Sequence, residues 1–181
     1  VTKKTWDGEK GVVVIPVFFQ LKLLEFIPRS QGGGFVSELS PTSDDVRKAV
    51  RDQESGLELL ESGNELVRTA QHYVKIVHDD GNLENAIIDM KKTQLKKSRQ
   101  WMSIMTMQKH NGKTLPMFAN TYRLKSVEDG NDKGSWNSWS ISHEGQVSTM
   151  EAYEDAKALH TSVSSGELKP ALPTDTDDVP F

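Results

Sequence analysis

The sequence predicts a mainly β fold with α elements: about five strands, one internal helix and one helix near the C-terminal end. Three observations lead there. Residues 10–30, KGVVVIPVFFQLKLLEFIPRS, are dominated by β-branched and aromatic side chains and hold no helical spacing for two turns. Residues 91–110 form the best helix-forming stretch, free of glycine and proline. Residues 149–167 open on a capping threonine and close near Gly166, which is the pattern of a second helix.

Taken in order, residues 10–30 read as one long strand or two consecutive ones, with an interruption near Pro16, because an interior proline removes a ladder donor. QGGGF, residues 31–35, is a turn; a phosphate cradle would also need a helix start and a lysine, and neither follows. Residues 40–55 carry a cap followed by acids and predict a short helix. Residues 68–90 read as a hairpin, with QHYVKIV as the first strand and a turn at 79–82. In the helix of residues 91–110, Leu95, Met102 and Met105 share a face broadened by Trp101 and Ile104, and Lys92, Lys96 and Arg99 form a basic strip beside it. Residues 117–127 then predict a strand, 128–135 a polar loop, and WNSWSISHEGQV another strand with a register break between Trp136 and Ile141. Residues 169–181 hold three prolines and predict a flexible acidic tail, so that residues 1–168 make up the folded domain. Five strands of this size with an inserted helix make an OB-like barrel the expected architecture, with the internal helix before a late strand and the other helix at the C-terminal end.

Composition narrows the function. Without cysteine there is no disulfide scaffold, thiol nucleophile or thiolate metal site. No apolar run is long enough to span a membrane, and the first thirty residues lack the pattern of a secretory leader, so an intracellular setting is expected. The five histidines form no HExxH or H-x-H pattern, and GxSxG, Walker and dinucleotide motifs are missing; no enzyme activity, metal or cofactor is expected.

The net charge of −4 hides a segregated distribution. Residues 91–109 carry six cations and no acid, whereas residues 38–65 carry eight acids against three cations. A single-strand binder needs cations that follow the backbone and rings on which bases stack, and here the two are interleaved. The residues expected to contact nucleic acid are Lys22, Arg29, Tyr73, Lys75, Lys92, Lys96, Arg99, Tyr122, Arg123, Lys133, Trp136 and Trp139. The last residues, TDTDDVPF, set aspartates that repel one another before an apolar dipeptide, a composition suited to capture by a shallow apolar pocket rimmed by cations.

DTDDVPF resembles the acidic tip of bacterial single-stranded-DNA-binding proteins. The body resembles a group of bacteriophage single-stranded-DNA-binding proteins, through VVVIPVFFQLKLLEFIPR with the following GGGF, through TQLKKSRQWMSIM, and through LPMFANTYRLKSVEDGNDKGSWNSWSISHEG. The resemblance implies an OB-type fold and binding and protection of single-stranded DNA without strong sequence preference, in phage replication or recombination, in the cytoplasm of an infected bacterium. It also implies that Asp175, Asp177, Asp178, Pro180 and Phe181 recruit replication or recombination proteins. The competing expectation is an adaptor or inhibitor that occupies replication proteins without touching DNA, in which case the rings and cations would be buried or scattered. The oligomeric state stays open.

Overall fold

The computed structural model describes residues 4–132 and 134–168. The chain is mainly β with α-helices, and it divides into two compact units. Among the described residues, the first takes in residues 4–19 and 71–168, the second residues 20–70. Two long strands contribute to both: β1, Val12–Phe26, and β5, Glu65–Val77.

In the second unit the end of β1 pairs antiparallel with β2, Phe35–Leu39, after the glycine turn that the sequence announces. The expected helix over 40–55 shrinks to α1, Asp44–Lys48, where the Ser43 hydroxyl accepts the Val46 N–H and two acids occupy the first turn. Past it, β3 (Val50–Arg51) and β4 (Glu58–Leu59) are two-residue strands, too short for any hydrophobic period to announce. β4 pairs with β3 and with the start of β5. Leu23, Leu60 and Leu66 form the core of this unit, with Leu39, Val46 and Ala49 around them.

The first unit holds β1 and β5 together with β6 (Leu83–Lys91), α2 (Gln94–Met107), β7 (Lys109–His110), β8 (Lys113–Thr114), β9 (Asn120–Asn131), β10 (Gly134–Gln146) and α3 (Met150–Ser164). The predicted turn at 79–82 closes the β5–β6 hairpin through His78 N–H to Asn82 O at 2.9 Å. Strand order runs β10, β9, β1, β5, with β6 also on β5. Among the described residues β10 and β6 are therefore the ends of this path, and α2 packs against both.

Pro16 does not interrupt β1. It lies two residues beyond Val14, where the β9 ladder has ended, so β9 does not require its missing donor. The stretch expected to be a polar loop, residues 128–135, is largely strand: β9 and β10 pair without a break from Gly134↔Asn131 to His143↔Tyr122. The register shift falls between His143 and Gly145, not between Trp136 and Ile141. Gly11 is required where β1 begins; its φ is +71°, and a Cβ there would sit 2.3 Å from the Leu124 carbonyl oxygen.

The two faces of β5 are covered by different helices. Tyr73 belongs to a cluster with Ile15, Val17, Phe118, Ala156 and Val163, which seats α3. His72, its neighbour, points to the opposite face by strand alternation and meets α2 there. Burial on both faces explains why β1 reads as a continuous hydrophobic run without a two-residue period.

Candidate nucleic-acid interface

α2 begins later than the sequence suggests, because Lys92 has φ +51° and cannot continue a right-handed turn. Lys92 is thus outside the helical row in which it was expected beside Lys96 and Arg99. From Gln94 the helix turns Ser98, Trp101 and Met105 inward, at spacings of three and four residues. Trp101 is 0% exposed. Its ring stacks on His72 with centroids 4.6 Å apart and meets Tyr122 edge-on at 5.9 Å. One turn earlier, Ser98 Oγ lies 2.8 Å from His72 Nε2. Burial lowers the His72 pKa to about 4, so at neutral pH the imidazole is uncharged. At the start of the helix, Gln94 Nε2 donates to the Asn137 carbonyl at 3.0 Å, and Lys97 lies 3.7 Å from Asp129.

This anchoring turns Lys96, Arg99, Gln100, Ser103 and Thr106 to solvent. The basic stretch is also longer than residues 91–109: from 90 to 127 there are nine lysines and arginines and no acid. Within it, Arg123 pairs with Glu144 at 2.9 Å and donates to the Lys10 carbonyl at 3.2 Å. Lys96, Arg99, Lys109 and Lys113 have no carboxylate partner among the described residues. Lys109 and Lys113 stand on the β7–β8 hairpin just beyond α2, whose Asn111 and Gly112 tip has φ values of +50° and +76°. Neither lysine was among the contacts expected from sequence; the continuing lack of acids was the signal for them.

The other expected contacts divide sharply. Tyr73 and Tyr122 are core residues, and burial pushes the Tyr122 phenol up to about 12. Neither ring is available to a base in this conformation. The Lys75 side chain is 8% exposed and sits 2.6 Å from Asp155 of α3, so it also is removed from the surface. Lys22, in the second unit, is paired with Glu38, and Arg29 is exposed on the short turn Arg29–Gln31. Trp136 and Trp139 are both half-buried, but an odd spacing on an unbroken stretch of β10 puts them on opposite faces. They cannot form one stacking platform. Lys133 and the tail residues Asp175, Asp177, Asp178, Pro180 and Phe181 lie outside the described residues.

No group of His, Asp and Glu able to hold a metal ion occurs among the described residues. No helix among them is long and apolar enough to cross a membrane.

The geometry defines a class first: a mainly β protein with a basic helix laid against the two end strands of its five long ones. The chain belongs to the Pam3 phage gp34-like protein family, whose profile matches residues 1–169. No curated protein and no solved structure matches it significantly.

Proposed function

We propose that this phage-family protein binds single-stranded DNA without strong sequence preference, with phosphate contacts from the exposed side of α2 and the β7–β8 hairpin supplying most of the affinity. The observation that carries the reading is the quartet Lys96, Arg99, Lys109 and Lys113, without carboxylate partners among the described residues and within an acid-free stretch, two of them on a helix anchored by Trp101 and His72 and two on the hairpin that follows it. The strand wiring supports it. With β1, β5, β6, β9 and β10 counted one to five, strand one pairs with two and four, two with three, and four with five. The helix between three and four packs on three and five. This order supports reading the sheet as a partly open OB-like barrel with a helix between its end strands, and OB folds are frequent single-strand binders. In this reading the protein acts in phage replication or recombination inside the host bacterium, and residues 175–181 recruit partner proteins.

The test is a titration of labelled oligo-dT and of a duplex of equal length at two salt concentrations. Four phosphate contacts on a single strand give a log–log salt slope near −2.8, so affinity falls about 50-fold from 50 to 200 mM salt. Charge reversal at Lys96 and Arg99 together halves that slope. Affinity indifferent to salt, or equal for duplex and single strand, overturns the proposal.

The adaptor reading has one observation in its favour: Tyr73, Tyr122 and Trp101 are buried, and the two tryptophans of β10 are on opposite faces. It predicts no measurable affinity for oligo-dT at low salt.

A further inference from the structure

Phosphate contacts alone do not select a single strand, because a duplex presents more charge per unit length to the same cations. Selection needs groups that touch bases, whose flat apolar faces are open only when the strand is unpaired. Of the rings expected to supply such contacts, Tyr73 and Tyr122 are buried, and Trp136 and Trp139 share no face. The bases need other partners along the same path.

Lys96, Gln100, Ser103 and Met107 follow one another at helical spacings and form one exposed row on α2. Met107 closes the row, is its one apolar member, and is 72% exposed. A single exposed methionine needs no explanation by itself. This one stands between the two pairs of cations, about 16 Å along the helix from Lys96 and just before Lys109. Its thioether is unbranched and polarisable and packs favourably on aromatic faces, which suits contact with bases of any identity. His110 adds a ring. His72, His78, His143 and His160 hydrogen-bond to Ser98, Glu84, Asn120 and the Val17 carbonyl. The exposed His110 ring has no hydrogen-bond or ring partner among the described residues. It is directly paired with Lys113 across the hairpin, so ring and ammonium project to the same side. A free flat ring beside a free cation is the combination from which single-strand sites are built.

We propose that Met107 and His110 hold the unpaired bases of the strand whose phosphates lie on Lys96, Arg99, Lys109 and Lys113. The inference rests on the single-strand reading and names the groups that give it its preference for unpaired bases. Oligo-dT and an abasic strand with the same number of phosphates are titrated at two salt concentrations against the full chain, Met107→Ala, His110→Ala and the double variant. Working at pH 8.5 keeps imidazole protonation out of the salt slope. Both side chains are in water, so the variants keep the fold, which a thermal melt verifies. The wild type is expected to bind oligo-dT at least about tenfold more tightly than the abasic strand, and the double variant to reduce that ratio to about twofold through lost affinity for oligo-dT alone, with each single variant between. The salt slope of the double variant should equal that of the wild type, since losing an apolar contact changes no counterion release. Equal wild-type affinity for the two strands, with a steep salt slope on both, overturns this inference and leaves the phosphate contacts standing. A ratio that survives the double variant, or an equal loss on both strands, also overturns it. Failure of the wild type to bind oligo-dT at low salt removes the single-strand reading and this inference together.

Discussion

Lowering the pH should destabilise the fold through a single imidazole packed against α2. His72 is 1% exposed, between Phe19 at 5.0 Å and Trp101 at 4.6 Å, with Ser98 Oγ as the hydrogen-bond partner of Nε2. No charged side chain is among these contacts, and burial alone brings its pKa from 6.5 to about 4. The unfolded chain takes up a proton as pH falls below 6.5, while the folded chain stays neutral until about pH 4. Between those values the unfolded state binds more protons. The stabilisation is therefore complete above pH 6.5, drains away as pH falls, and is gone below about 4. A shift of this size corresponds to roughly 3 kcal/mol, a large share of the ~5–15 kcal/mol that holds a typical domain together. Urea unfolding at intervals from pH 7.5 to 4.5, on the wild type and on His72→Gln, measures it. Gln keeps a polar partner for Ser98 but does not titrate, so its stability should vary with pH much less steeply in this window. Parallel curves for the two proteins would refute the reasoning, because the proton uptake would then belong to other groups.

Three further outcomes are expected. Gly11→Ala should destabilise by about 1–3 kcal/mol in a thermal or urea melt, because φ +71° disfavours any Cβ and this one meets the Leu124 carbonyl oxygen at 2.3 Å. Asp155→Ala should cost about 1–3 kcal/mol by leaving the Lys75 ammonium buried without its carboxylate, and adding Lys75→Met should recover most of the loss; a double variant as weak as the single would exclude the ion pair as the cause. Trp136→Ala should reduce oligo-dT affinity by about 1–3 kcal/mol and Trp139→Ala should leave it unchanged, because Trp136 shares its face with Asp129, which reaches Lys97 of α2; equal losses in both would mean the strand does not lie along α2.

Much of the local structure was legible in the chain itself. Thr149 caps α3 through the Ala152 N–H as its position suggests, the turn at 79–82 closes the hairpin, and α2 buries Trp101 and Met105 as its spacing requires. Departures have local causes. α2 starts late because of the left-handed Lys92, and the polar residues 128–131 and 134–135 form paired strand because the partner across the hairpin supplies the hydrogen bonds that composition does not reveal. Among the expected DNA contacts, Lys96 and Arg99 could be read as surface because a helical period separates an apolar side from a charged one. Tyr73 already had the composition of a core ring, but nothing around Lys75 or Tyr122 could be read as buried in the same way.

By itself, the sequence determined the two long helices, most of the long strands, the segregation of charge and the phage-family membership of the chain. The tertiary structure decided which rings and cations meet solvent. Alternation along a strand specifies which side chains share a face, but whether that face is covered depends on what packs there from far along the chain. Tyr73 and Lys75 lie beneath α3, about eighty residues away in sequence, and no local pattern around them encodes that contact.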